Sequence, residues 1–372
     1  MAFSFTNFAA DMFFKREQGK PFIIAGPCSA ESFDQLSETA KHLSQLPVDL
    51  FRAGVWKPRT RPGSFEGKGL EALEWLQDIK QQYGLPIAIE VAEPQHIDLA
   101  LKYNIDVLWI GARTTVNPFQ VQRLADALKG VVMPVMIKNP VNPDVDLWQG
   151  AIERIEGAGI KDIAAIHRGF SGYNTASKYR NQPNWPIPIE LKRRNPNLPV
   201  ITDPSHIGGK RELVASLSQK AMDMGFDGLM IETHPDPEHA LTDAAQQVTP
   251  DVLKEILQNL NIRSQHPADA NMTTSLEYLR QIMDTLDAEI IDLLARRMEL
   301  SEKMGVVKKD SNITTYQPDR WRDIIETRSE RAVQLNLSKE FIISLYQIIH
   351  DESIRKQLEI LQGRDANNSV KR

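Results

Sequence analysis

The only cysteine of this 372-residue chain, Cys28, stands in FIIAGPCSAES (22–32), directly after an apolar run and the pair Gly26-Pro27. A lone cysteine is usually a small buried hydrophobe. It becomes a candidate for chemistry only if other reactive side chains converge on it. Such side chains recur at one kind of position: Arg52, Glu90, Glu93, Arg113, Lys138, His167, Arg168, Asp203, His206, Glu232 and His234 all fall at or just after the end of a short apolar run. One charged residue in that place means nothing, since strands end in polar loops. One after almost every run, mostly basic in the middle units, is a pattern. Cations gathered at one mouth attract a small, multiply anionic substrate. A second set lies further on. Arg297 interrupts an apolar helical spacing and is accompanied by Arg280, Lys308 and Arg320. Ser353 and Gln357, four apart, share a helix face and extend the row of Leu345 and Ile349. Inward cations with a few neutral hydrogen-bonding groups make a pocket for a small dianion.

The apolar runs are FIIAGP (22–27), VDLFRAG (48–54), PIAIEVAE (86–93), VLWIGAR (107–113), PVMIKNP (134–140), DIAAIHRG (162–169), PVITDPSH (199–206) and GLMIETH (228–234). Amphipathic segments such as FDQLSETAKHLSQL separate them. Near-continuous apolar strands alternating with helices indicate a parallel sheet covered on both faces. Eight such units in roughly 250 residues is the size of a (β/α)8 barrel, whose active sites sit at the C-terminal ends of the strands. A doubly wound open sheet is the structural rival. Near residue 263 the pattern changes. A polar stretch with Pro267 reads as a linker, and a long helix follows with Thr274 or Ser275 as its cap. Leu276, Leu279, Met283, Leu286, Ile290, Leu293, Leu300, Met304 and Val307 form a seam of coiled-coil type. Two more helices are expected at 318–335 and 338–361, the latter capped by Ser338. The expected organisation is an α/β barrel over 1–263, a linker at 264–273, an all-α three-helix domain over 274–363 and a disordered tail at 364–372.

A net charge of −5 gives no reason to expect nucleic-acid binding. One cysteine excludes an intrachain disulfide and suits a reducing cytoplasm. The apolar start MAFSFTNFAADMFF carries Asp11 and reads as an opening helix or strand rather than a signal peptide. No apolar stretch has the length to span a membrane.

GPCSAES (26–32), KPRT (57–60) and GARTT (111–115), in that order, resemble the type I 3-deoxy-D-arabino-heptulosonate 7-phosphate (DAHP) synthases. DPSHIGGK followed by GLMIETHPDPEHALTDAAQQ is most similar to their beta subclass. The resemblance covers residues 20 to about 262. It implies condensation of phosphoenolpyruvate with erythrose 4-phosphate and a divalent metal on Cys28, His206, Glu232 and Asp243. Manganese is the first choice among manganese, iron, zinc and cobalt. It assigns Arg52, Lys57, Arg113, Lys138 and Arg168 to phosphoenolpyruvate, and Arg59, Thr60 and Ser64 to the aldose phosphate. The rival is 3-deoxy-octulosonate 8-phosphate synthase, which has an asparagine before the arginine where KPRT has proline.

Residues 276–357 resemble the all-helical chorismate mutases, in which two chains intertwine and one arginine of the first helix reaches the partner's site. That implies Arg280 as the crossing residue, with Arg297, Arg320 and Ser353 among the substrate binders and Lys308 and Gln357 facing the ether oxygen that breaks. Two departures concern the substrate hydroxyl: Trp321 stands where many members of that family carry a carboxylate, and Gln317 where some carry an aspartate. The alternative for this region is a ligand-sensing, dimerising module without catalysis. The combined expectation is a cytoplasmic, bifunctional enzyme acting on small molecules, with no nucleic-acid or membrane partner. It would be a homodimer through its helices, extended to a homotetramer if the barrels also pair. Feedback on the synthase by chorismate or prephenate would pass through the helical domain, with no separate regulatory domain before the barrel.

Overall fold

The computed structural model describes residues 20–57, 63, 65–172, 177–263 and 270–362. These divide into two compact units, one ending at Gln265 and the other starting at His266. The expectations for the opening segment 1–19, for Arg59, Thr60 and Ser64, for linker residues 264–269 and for the tail 364–372 lie outside the described residues.

Eight strands form one closed parallel barrel in sequence order: β1 Phe22–Gly26, β2 Leu50–Ala53, β3 Ile87–Val91, β4 Val107–Ile110, β5 Val135–Lys138, β6 Ile163–His167, β7 Val200–Thr202 and β8 Gly228–Glu232. They are apolar on both faces because both faces are buried. One set of alternate residues, including Phe22, Ile24, Leu50, Trp109, Met136, Ile166 and Met230, fills the barrel. The other set packs outward with the helices in a larger core.

Strand alternation carries the inward row on to the mouth. Two residues past the inward Leu50 comes Arg52; Glu90 follows Ala88, Lys138 follows Met136, Arg168 follows Ile166, Asp203 follows Ile201, and Glu232 follows Met230. These charged side chains form the next layer of the interior. His167 has the opposite parity. Its ring meets Trp185 edge-on at 4.9 Å and its Nε2 donates to the Pro183 carbonyl at 2.6 Å, so it leaves the group expected at the mouth. Gly26 has φ +146°, and a Cβ there would lie 2.1 Å from the Arg52 carbonyl oxygen. Only glycine lets β1 turn beside β2 into the Cys28 loop.

Among the described residues the second unit holds three helices, Ala270–Asp310, Pro318–Gln334 and Lys339–Leu361. Ser338 caps the third, its hydroxyl accepting from Phe341 N. The first starts at Ala270, so Thr274 and Ser275 lie inside it and do not cap it. No proline or glycine stands between 270 and 275 to stop the helix from extending back. Of the expected seam, Leu279, Met283, Leu293, Leu300 and Val307 are each more than half exposed. No helix of the described residues is long and apolar enough to cross a membrane.

Candidate active sites

Closure of the barrel brings three acidic groups together. β1 and β8 pair with Gly26 opposite Glu232, so Cys28, two residues past Gly26, arrives beside the last residue of β8. Asp243 joins them from the loop after β8 in a left-handed backbone conformation, φ +48°, which aspartate tolerates better than most residues. Cys28 Sγ lies 3.5 Å from Asp243 Oδ2, and one ligand atom from each of Cys28, Glu232 and Asp243 lies within 4.8 Å of the others. His206 Nε2 is 3.7 Å from Glu232 Oε1. Burial, reinforced by Glu232, pushes the Cys28 thiol up to about 12. Burial opposes ionisation of Glu232 too, but His206 and Arg52 hold it below the ordinary carboxylate value. Asp243 is held at about 2, against the effect of burial, by His206 and Arg180. Glu232 Oε1 receives no hydrogen bond from the described residues. A soft sulfur, an imidazole nitrogen and two carboxylates fit a divalent transition metal.

Supports around the cluster orient these groups. Asp203 caps the short helix Pro204–Gly208, its Oδ1 accepting from His206 N. Its Oδ2 lies 2.8 Å from His206 Nδ1 and 3.0 Å from Lys138 Nζ. A proton placed on Nδ1 by that carboxylate leaves the Nε2 lone pair facing Glu232. Lys57 Nζ donates to Cys28 Sγ at 3.0 Å. Two glutamines that the sequence reading passed over tie the cluster together. Gln246 Nε2 donates to Glu232 Oε2 at 2.6 Å and to Asp243 Oδ2 at 3.4 Å. Gln247 Oε1 accepts from Cys28 N at 2.9 Å while its Nε2 donates to Thr242 O at 2.8 Å. Both are buried. Their adjacency to Asp243 in TDAAQQ was the available signal.

The five predicted phosphoenolpyruvate cations divide into two kinds. Arg52 is fully buried, 3.2 Å from Glu232 Oε1 and 5.0 Å from the centre of the Trp109 ring. Lys138 is likewise paired, with Asp203. Arg168 donates to Asn181 Oδ1 at 2.9 Å; burial, with Arg180 and Arg113 nearby, depresses it to about 10. Arg113 is exposed on the short turn Ala112–Thr115. The three guanidiniums lie near enough to repel one another, and Arg180 is paired with Asp243 at 3.0 Å. Arg180 escaped the sequence reading because it lies in the long segment after β6, away from any strand end. Beside Lys57, a cavity of about 330 Å³ is lined by Glu90, Glu93 and the stacked pair Trp56–His96.

In the helical unit Arg297 Nη1 donates to Ser353 Oγ at 2.5 Å. Lys308, Ser353 and Gln357 are buried, and Lys308 Nζ donates to the Thr315 carbonyl. Gln357 Oε1 has no partner among the described residues. Arg320 is not gathered in: it is exposed and pairs with Asp323. Arg280 is exposed as well, 17 residues before Arg297 and so about 25 Å away along the same helix. Arg328, near enough to Arg297 to depress it after burial has done so, was missed because it looks like one of many exposed charges on its helix. His350, stacked on Trp321 with centroids 4.2 Å apart, was also missed.

Comparison with known proteins agrees with this division. The profile of the DAHP synthetase I family matches residues 12–266, and that of chorismate mutase type II matches 279–358. The phospho-2-dehydro-3-deoxyheptonate aldolase of Thermotoga maritima is 35% identical over 238 residues, 64% of this chain and 68% of that protein. A 2-dehydro-3-deoxyphosphooctonate aldolase of Legionella pneumophila is 30% identical over 261 residues, 64% of this chain and 90% of that protein. The crystal structure of the Thermotoga maritima DAHP synthase superposes with a TM-score of 0.59 at 34% identity, over 65% of this chain and 68% of that one. A truncated form of the Thermotoga maritima enzyme gives 0.56 at 31%, over 65% and 85%. The chain belongs to the DAHP synthetase I family, carries a chorismate mutase type II region after its barrel, and is an enzyme of both kinds.

Proposed function

We propose that the barrel joins phosphoenolpyruvate to erythrose 4-phosphate, with water consumed and phosphate released, and that the helical unit rearranges chorismate to prephenate. The observation that carries the first reading is the cluster of Cys28, Glu232, Asp243 and His206 beside the arginines of the mouth. A divalent metal on those four residues, manganese first among manganese, iron, zinc and cobalt, would polarise the aldehyde oxygen of the aldose. Arg113 and Arg168 bind the phosphate and carboxylate of phosphoenolpyruvate, with Lys138 and Lys57 as point charges and Arg52 as the buried counter-ion of Glu232. Arg59, Thr60 and Ser64 hold the aldose phosphate. Relatives acting on octulosonate precursors make aldose choice the discriminating assay. Erythrose 4-phosphate turnover exceeding that of arabinose 5-phosphate is expected, and the reverse preference would replace this reading.

In the helical unit Arg297 and Ser353 hold a substrate carboxylate, and Lys308 and Gln357 stabilise the charge developing on the ether oxygen. The rearrangement is pericyclic and needs no nucleophile. A second chain supplies Arg280 and covers the exposed seam. Within one chain the buried side chains of this unit are mostly polar, with Ala332 and Ile342 the buried apolar ones among the described residues. So little buried apolar surface does not hold three helices together alone. Light scattering is expected to show two chains, or four if the barrels also pair. Chorismate or prephenate bound among the helices inhibits the synthase, and the pathway runs in the cytoplasm. Removing residues 264–372 is expected to abolish that inhibition; inhibition that persists would end the idea.

One preparation assayed for both reactions tests the whole assignment. EDTA is expected to abolish the synthase and spare the mutase, and Arg297→Ala to do the opposite. If EDTA stops both reactions, or neither, the division of labour is wrong.

A further inference from the structure

The helical pocket is rich in hydrogen-bond donors and poor in acceptors. Arg297, Lys308 and Arg328 bring N–H groups only. Chorismate carries two carboxylates that such cations satisfy, and also a ring hydroxyl whose proton needs an acceptor. At the two positions where related mutases carry carboxylates, no carboxylate stands here. Gln317, the residue before the second helix, carries a neutral amide, and Trp321 has only an N–H to offer.

The structure puts another group in that place. His350 lies on the third helix three residues before Ser353 and seven before Gln357, so all three share a face. Trp321 lies against its ring, the two planes within 22°, and Tyr316 meets it edge-on at 6.1 Å. The ring is therefore held on both sides. Its Nε2 is buried and has no hydrogen-bond partner among the described residues, as is true of Gln357 Oε1 two turns on. Two buried, unpartnered polar atoms on either side of the Arg297–Ser353 contact are costly unless a ligand completes them. Burial holds the imidazole below its ordinary value against the pull of Asp351, and Arg297 and Lys308 add to the effect. A neutral ring can accept a proton.

Resting on the mutase reading above, we infer that His350, oriented by Trp321, accepts the hydrogen bond of the substrate's ring hydroxyl and takes the place of the missing carboxylates. The pair is thus a specificity device: the tryptophan that stands in place of a carboxylate sets the acceptor that replaces it.

The test is steady-state kinetics on the full-length chain with chorismate and with its analogue in which the ring hydroxyl is replaced by hydrogen. His350→Leu is expected to lower kcat/KM for chorismate by at least about tenfold and leave the deoxy analogue within about twofold, as loss of one specific hydrogen bond should. His350→Gln, which keeps an acceptor, should recover much of the loss, and Trp321→Ala should discriminate as His350→Leu does. Retained synthase activity and an unchanged subunit number show that each variant is folded and assembled. Equal losses on both substrates, or none, would overturn the role of His350 and leave the mutase standing. A wild-type chain that turns over neither substrate would overturn the mutase reading and this inference with it.

Discussion

Lys57 Nζ and Cys28 Sγ are 3.0 Å apart at the bottom of the barrel mouth. The contact joins the loop after β2 to the loop after β1 and sets an ammonium against a buried sulfur. Burial and Glu232 favour the protonated thiol, while Lys57 and Arg52 favour the thiolate. A sulfur kept in this balance is poorly explained as packing, since alanine or serine would fill the same space without the conflict.

If Cys28 is a ligand, Cys28→Ser should lower the affinity for manganese or cobalt by at least about tenfold, by analogy with the effects of perturbing metal-site supports. The Tm of the metal-free chain should shift little, because the neighbouring Lys57 and Asp243 can bond a hydroxyl. Isothermal titration and thermal melting measure the two quantities. A large drop in Tm with unchanged metal affinity would return Cys28 to the role of a core residue.

Gln246 spans both carboxylates of the cluster, so Gln246→Leu leaves Glu232 and Asp243 without their shared donor. The expected result is a loss of about 10- to 100-fold in metal affinity. Gln246→Glu, which adds a third carboxylate without the donor, should also weaken binding at neutral pH. Wild-type affinity in both variants would mean that the glutamine merely fills space.

His167 gives the barrel a pH dependence of its own. Burial is the main reason it is held at about 4, against an ordinary value of 6.5, and its Nε2–H is committed to Pro183 O. The unfolded chain takes up a proton near pH 6.5 that the folded chain refuses until about pH 4. This stability is therefore complete above pH 6.5 and is lost as the pH falls to 4. The difference amounts to about 3 kcal/mol. Denaturant titrations should show a flatter slope across that window for His167→Gln than for wild type; parallel curves would reject the assignment. The carboxylates Asp203, Glu232 and Asp243, held low, act in a more acidic range.

Gly26→Ala should cost more than about 3 kcal/mol or prevent folding, because the new methyl would meet the Arg52 carbonyl in a backbone region that L-residues avoid. Gly157→Ala is the control. It ends the helix Val145–Gly157 with nothing near its Cβ position, and should be neutral or stabilising by about 0.5 to 1 kcal/mol. Urea titration of both variants decides whether crowding or composition matters.

Much of this was legible beforehand. Eight near-continuous apolar runs alternating with helices indicated a parallel barrel, because buried parallel strands leave no polar face to confuse the pattern. Strand alternation explains why Arg52, Lys138, Asp203 and Glu232 reach the mouth while His167, one residue out of step, does not. The three helices followed from their own spacing and from Ser338. The start at Ala270 did not, because no proline or glycine between 270 and 275 marks a helix end there.

By itself, then, the order of residues determined the fold class, a parallel barrel followed by a helical region, since periodicity is a local property. Only the tertiary structure decided which charged side chains neutralise one another. Arg52 and Lys138 turn out to be counter-ions of Glu232 and Asp203, Gln246 and Gln247 to brace the cluster of Cys28, Glu232 and Asp243, and Trp321 to stack on His350. Each of these depends on distances between residues far apart in the chain, where burial makes a missing partner costly, and no local pattern encodes that.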